Sequence, residues 1–324
     1  MNFSGGSLVR FDHVSRYFNK TPAVNSLSFG LERNRSLAIL GPNGAGKTTI
    51  IRMLLGVLSP SAGSIFLWGE PAASSAFGAK KRIGVVIEEQ TFFLDMSAWE
   101  YLHLFGELYE VENISDKAEA LLSYMELSGS KHKRLKEFST GMKKKLNIIQ
   151  AVLHGPEILI LDEPFSGLDP RGIELSIKLF REMKKKGSTL IVCSHILSEI
   201  DSLVEDLLII DRGNVKAWGN KKRLWEEYIG KNKMYLRLAE PNEAGINALG
   251  QLPLISGYKT RKGLSYVFDI DTDENVKVIT AREIIKNKLL VSHLRYPEPS
   301  VKAIYARVMN RDEEDTGTNG AEES

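Results

Sequence analysis

The chain has 324 residues, 43% of them hydrophobic and 26% charged, with a formal net charge of +2. That is enough length for one large domain and a smaller one, and enough apolar content for a packed core. Balanced charge gives no global field to steer a polyanion, and a single cysteine, Cys193, excludes an intrachain disulfide and fits a reducing compartment. The opening residues, MNFSGGSLVRFDH, lack a basic stretch followed by an apolar core, so no signal peptide is expected. Asn2 excludes N-myristoylation. No run approaches the ~18 consecutive apolar residues of a membrane helix, so work at a membrane would need another chain to span it.

Up to about residue 90 the pattern is β-rich. SLVRFDHV and SLSFGLE read as strands, and SLAIL (Ser36 to Leu40) as a short buried strand. It runs into the Gly-rich turn GPNGAGKTT, which is followed by IIRMLLGVL at helical spacing. RIGVVIEEQTFF, from Arg82, is an apolar run that stops at Glu88, Glu89 and Gln90. From Ser97 to about Leu153 the spacing is helical, with a capping box at Ser97 and Glu100 and Ser115 as the expected cap of DKAEALLSYMEL. The α/β alternation returns from Glu157. EILILDE is a buried strand, RGIELSIKLFREMKKKG a helix stopped by Gly187, STLIVCSH a strand with Cys193 as a small buried apolar residue, and DLLIIDRGNVKAWG a hairpin. Uninterrupted Ile/Leu/Val runs indicate a parallel sheet covered on both faces. The expected fold class is therefore α/β, one domain over residues 1–230 with a helical insertion at about 91–155.

After residue 230 the reading is strand (Met234–Ala239), helix (Asn242–Gly250), strand (Pro253–Lys259), turn TRKG, strand (Leu264–Ile270), helix (Glu274–Lys286), strand (Leu289–Tyr296) and helix (Ser300–Met309). The first six follow the β-α-β-β-α-β order of a ferredoxin-like module, giving a small α+β domain over 231–310. RDEEDTGTNGAEES, 311–324, is acidic and polar and is expected to be a disordered tail.

GPNGAGKT fits G-x-x-x-x-G-K-[ST] at Gly41, Gly46, Lys47 and Thr48, between an apolar strand and an apolar-periodic helix. Gly41, Pro42, Asn43, Gly44, Ala45, Gly46, Lys47, Thr48 and Thr49 form the expected phosphate cradle, with backbone N–H groups turned inward from all but Pro42, which has none. The helix N-terminus adds its positive end. Lys47 is expected on the β- and γ-phosphates and the Thr48 hydroxyl on Mg²⁺. EILILDEP ends in Asp162, the expected Mg²⁺ ligand, and Glu163, the expected base for an attacking water. Two acids after an apolar run are costly without a compensating cation or donors. These motifs define a P-loop NTPase and leave kinases, GTPases, helicases and transport ATPases open, although no N-K-x-D run for guanine is present.

EFSTGMKKKLNIIQAVLHGPEILILDEPFSGLDP resembles the signature-to-Walker-B block of ATP-binding cassette (ABC) ATPases. FSTGMKKK stands where such proteins have LSGGQKQR; Ser139 and Gly141 keep the positions that touch the γ-phosphate held by a partner subunit. Thr140 and Met142 resemble the branch that serves ABC-2-type exporters. Lys143 to Lys145 read as a solvated helix face. SGLDP matches the D-loop with Asp169 at its aspartate, and His195 matches the switch histidine. VSRYFNKTPAVNSLSF resembles the segment whose aromatic stacks on adenine, which puts Phe18 there, with Tyr17 second. SAWEYL matches the block that follows the Q-loop, and nine residues back from Ser97 is Glu88, so Glu88 rather than Gln90 takes the Mg²⁺-facing place. Phe92 and Phe93 either pack the insertion or line the groove for a membrane partner.

The resemblance covers about residues 7–225. It implies an ATPase, with Glu163, His195 and Lys47 catalytic. It also implies ATP and Mg²⁺ in a head-to-tail homodimer, or heterodimer with a similar subunit, that drives export. The motor would sit in the cytoplasm, peripheral on the inner face of the cell membrane through separate permease subunits of ABC-2 type. No nucleic acid is expected. Two other readings compete: a soluble ABC ATPase acting on ribosomes or DNA, and a regulatory module with a dead site. One cassette, no long heptad run and no cysteine cluster weigh against the first, and the complete set of motifs against the second.

Overall fold

The computed structural model describes residues 7–72, 80–88, 90–230, 232–270 and 275–317. The chain divides into two compact units, Met1–Lys221 with Val308–Ser324, and Lys222–Arg307. The division falls before residue 230 because the main sheet ends at Asn220 and the next helix goes with the second unit.

In the first unit, β1 (Val9–Phe18), β2 (Thr21–Leu31), β4 (Ala62–Leu67) and β5 (Glu70–Pro71) form an antiparallel sheet in the order β2-β1-β4-β5. A six-stranded sheet runs β10-β9-β3-β8-β7-β6. It consists of β3 (Ser36–Leu40), β6 (Ile83–Val86), β7 (Ile158–Asp162), β8 (Thr189–Cys193), β9 (Asp206–Asp211) and β10 (Asn214–Asn220). The strands from β9 to β6 are parallel, and β10 returns antiparallel as a hairpin. Every residue of β3, β7 and β8 is buried, as continuous apolar runs require. The core includes Phe11 stacked on Phe29 at 4.7 Å, with Ile39, Ile50, Ile160 and Ile191. Parallel strands put their C-terminal ends at one edge, so the turns after β3, β6, β7 and β8 converge there.

The insertion contains α2 (Ala98–Leu108), α3 (Ile114–Tyr124) and α4 (Thr140–Val152), after α1 (Lys47–Leu54) on the phosphate loop. The Ser97–Glu100 capping box is present. Ser115 is not a cap. The N-cap of α3 is Asn113, in the left-handed region at φ 53°, where a short amide side chain is tolerated. Ser115 lies inside the helix with its hydroxyl on His103 Nε2 at 3.0 Å. α5 (Pro170–Lys185) ends before Gly187, at φ 101°, and the short α6 (Leu197–Ile200) follows β8.

The second unit holds α7 (Lys221–Tyr228) from its second residue onward, then β11 (Asn232–Leu238), α8 (Glu243–Gly250), β12 (Ile255–Arg261), β13 (Ser265–Ile270), α9 (Val276–Lys286) and β14 (Val291–Arg295). Its antiparallel sheet runs β12-β13-β11-β14, the ferredoxin-like order. Met234, Leu236, Leu238, Phe268 and Ile270 meet Ile246, Leu249 and Ile284 in a core of its own. The last helix, α10, spans Val301–Gly317 and so runs past residue 311, where a disordered tail was expected to begin. Arg and Glu are good helix formers, so acidic composition alone did not stop it. Residues 318–324 of that expected tail lie outside the described residues, as does Glu89.

Candidate functional site

The loop after β3 turns at glycines for which no side chain could substitute. A Cβ on Gly41 would sit 2.3 Å from Ile210 O, and one on Gly46 2.3 Å from Ala23 O. Gly46 is also the N-cap of α1, at φ 108°, a conformation open chiefly to glycine. Lys47 folds across this loop, its Nζ donating to the carbonyls of Gly41 (2.8 Å) and Pro42 (3.0 Å). Ala45 is buried and its N–H closes the turn onto Pro42 O.

A hollow of about 650 Å³ lies over the loop. Asn43, Gly44, Gly46, Lys47, Thr48 and Thr49 line it from one side; Glu88, Asp162, Glu163 and His195 line it from the ends of β6, β7 and β8. Ala23 of β2 completes it, a wall that no motif announced. The fold thus gathers residues from Ala23 to His195 into one site.

Asp162 is 8% exposed, and its carboxyl is pushed up to about 6. Burial is the main cause; the charges of Glu163 and Glu88 add to it, while Lys47 and Lys144 oppose it. Glu163 sits at φ 46°, strained for a residue with a Cβ. Its carboxylate accepts from His195 Nδ1 at 2.7 Å. The His195 ring is exposed, and Nε2 has no protein partner among the described residues. Among those residues no three His, Cys, Asp or Glu side chains form a ready metal cage.

At the exit of β6, Glu88 and Gln90 go separate ways. Glu88 lines the hollow. Gln90 instead donates to Tyr101 Oη at 3.4 Å, toward the helical insertion. Phe92 and Phe93 also pack on Tyr101, at 5.5 and 6.4 Å, with Phe93 57% exposed.

Lys144 overturns the expectation of a solvated lysine face. It is 7% exposed, and its Nζ donates to the carbonyls of Ile87 (3.3 Å), Glu88 (3.3 Å) and Glu163 (3.1 Å). Burial lowers its pKa, against the pull of Glu88, Asp162 and Glu163. The signal was legible: Lys144 stands four residues before Ile148, on the buried side of α4. Three consecutive lysines hid it. Asn147 adds a bond to Ile87 O at 3.2 Å.

Ser139, Gly141, Asp169 and Phe18 do not line this hollow. Ser139 is the N-cap of α4, its Oγ accepting from Met142 N at 3.2 Å. Its O–H proton stays available to an outside acceptor. Gly141 lies against the D-loop, where a Cβ would meet Gly167 O at 3.1 Å. Asp169 is the N-cap of α5, accepting from Gly172 N at 2.9 Å. Phe18 is 47% exposed at the β1–β2 turn, with Arg16 over its ring at 5.0 Å; Tyr17 is 41% exposed.

A strand, a Gly-rich loop with its lysine, a helix, and a neighbouring strand ending in Asp-Glu define a P-loop nucleotide-binding domain. The family model described as "ABC transporter" matches residues 24–166. The Nod factor export ATP-binding protein I of Burkholderia lata is 35% identical over 68% of this chain and 74% of its own length. The linearmycin resistance ATP-binding protein LnrL of Bacillus subtilis is 29% identical over 94% of this chain and 99% of its own. A solved ATP-binding subunit of an ABC transporter superposes with a TM-score of 0.66, at 26% identity, over 69% of this chain and 94% of its own. The chain belongs to the ABC transporter ATP-binding family, and its first unit is an ATP-binding, ATP-hydrolysing domain.

Proposed function

We propose that this chain is the motor subunit of an exporter and works as a head-to-tail pair closing over two ATP molecules, each with Mg²⁺. The observation that carries this reading is the split of the motifs. The phosphate loop, Asp162, Glu163, Glu88 and His195 line one hollow, while Ser139 and Gly141 lie outside it, at a helix N-terminus whose serine keeps a hydroxyl proton to donate. A second copy supplies what each site lacks. The names of the relatives, which refer to export and resistance, favour transport over a role on ribosomes or DNA.

In this reading Lys47 leaves its two loop carbonyls for the β- and γ-phosphates. Thr48, Asp162 and Glu88 would hold Mg²⁺; the raised Asp162 carboxyl, crowded by two other acids, is the kind of site a divalent cation relieves. The ion would neutralise charge on the β- and γ-oxygens. Glu163 takes the proton of the attacking water, and His195 steadies that carboxylate through Nδ1 while offering Nε2 to the γ-phosphate. Phe18, exposed at the edge of the β1–β2 turn, stacks on adenine. Loss of the γ-phosphate removes the contacts to Ser139 and Gly141 and opens the pair.

No helix among the described residues is long and apolar enough to cross a membrane. Separate permease subunits, of ABC-2 type by the Thr140 and Met142 signature, would carry the substrate, and the pair would sit at the cytoplasmic face against them. Co-purification with permeases encoded beside this chain, with a changed ATPase rate, is the expected result. Absence of both would contradict the reading.

A further inference from the structure

One face of the β12-β13-β11-β14 sheet packs on α8 and α9; the other carries a different chemistry. On β11 the inward residues are Met234, Leu236 and Leu238, so Tyr235 and Arg237 point outward. Register extends this into two rows across the sheet. Lys259, Val267, Tyr235 and Arg295 form one; Arg261, Ser265, Arg237 and His293 form the next. Lys262, at the β12–β13 turn, borders the second row. Between them lies a hollow of about 700 Å³ walled by Tyr235, Arg237, Arg261, Lys262, His293 and Arg295. Arg261 sits 5.9 Å over the Tyr235 ring.

No two cations are directly opposed, but Arg237 and Arg295 are diagonal neighbours on adjacent strands, where like charges repel unless acids balance them. Here, among the described residues, none of Arg237, Arg261, Lys262 and Arg295 has an ion-pair partner. The one acid at a described strand position on this face, Asp269, lies in the row beside Gly257 and Lys233, outside the hollow. The uncompensated charge is a standing demand for an anion. The floor between the rows is apolar, with Val267 8% exposed. We propose that this face binds a small anionic ligand with a flat apolar body, its ring on Tyr235 and its anionic group between Arg237 and Arg295.

The size of the hollow suits a small molecule. A single-stranded nucleic acid would need a series of stacking platforms, and Tyr235 is the one aromatic in the two rows. A lipid surface would meet a flat or convex patch rather than a concave one.

Anilinonaphthalene sulfonate, which joins an anionic group to flat rings, is the probe. The full chain, with its nucleotide site saturated by ADP, is titrated by fluorescence. One saturable site is expected, weakened at least ~10-fold by Arg237→Glu and by Tyr235→Ala, with circular dichroism unchanged. Inorganic pyrophosphate should compete weakly, since it lacks the ring. Should Arg237→Glu misfold, Arg295→Gln tests the same charge. Dye affinity equal in wild type and variants would overturn the proposal. So would variants that lose binding only to an oligothymidine strand or to phosphatidylglycerol vesicles.

Discussion

Asp162 is held in a folded state that its own charge opposes. Its carboxyl is pushed up to about 6, above the ~4 of an unfolded chain. The folded state therefore binds the extra proton between those values, and stability falls as pH rises from about 4 through 6. Asp162→Asn should raise the unfolding free energy of the nucleotide-free protein by about 1–3 kcal/mol at pH 7.5, while abolishing turnover. Parallel denaturant titrations of the two proteins at pH 7.5 check it; an unchanged midpoint would count against a buried, unrelieved carboxylate. Lys144, after Lys47, is one of two cations that offset the crowding. Lys144→Met removes three carbonyl contacts beneath Glu88 and Glu163 and should cut kcat by roughly 10-fold or more with KM for ATP little changed. A purely structural lysine would instead move the unfolding midpoint and leave kcat alone. The residue scale is also where reading the sequence succeeded and failed most clearly. Spacing from SAWEYL separated Glu88 from Gln90, because loop length is written in the chain. The helical spacing put Lys144 on the buried side of its helix, but the lysine run hid it, and the carbonyls that receive it come from other segments. Those carbonyls lie 19 and more residues away.

Strand ends are secured as deliberately as strand interiors. Glu157, just before β7, accepts from Arg82 (2.6 and 2.8 Å), Trp68 (3.0 Å) and Arg33 (2.9 Å). Chiefly through the Arg82 bonds its carboxyl is held at about 2. A depressed carboxyl stabilises above its unfolded value, near 4.5, and loses that contribution as pH falls toward 2. The side chain is 38% exposed, so screening discounts the gain. Glu157→Gln should cost roughly 1 kcal/mol at pH 7, with the difference vanishing near pH 2. A cost independent of pH would point to packing rather than charge. The elements themselves were legible where one local rule dominated: buried apolar runs for β3, β7 and β8, and a capping box for α2. Ser115 misled because Asn113, two residues earlier, reaches the left-handed region and starts the helix sooner. The ferredoxin-like order was readable from β11 to β14, but the unbalanced charge on its open face was not. That depends on register, which pairs Arg237 with His293 and Tyr235 with Arg295.

At the scale of the whole molecule the proposed function rests on a site built in halves. One hollow collects the phosphate loop, both Walker B acids, Glu88 and His195, while Ser139 caps its own helix and keeps a proton to donate. Both halves of the reading were available from motif order, since each motif sits on a short contiguous stretch. Their separation in space was not, because it needs the sheet to be assembled first. Glu163→Gln separates binding from hydrolysis. In the proposed mechanism it removes the base and preserves the shape, so ATP should bind while turnover falls by about 100-fold or more. The direct measurement is the molar mass of Glu163→Gln by light scattering, with ATP and Mg²⁺ and then without. A shift from monomer to dimer with ATP, lost when Ser139→Ala is added, is the predicted result. A monomer with its ATP site fully occupied would contradict the paired motor.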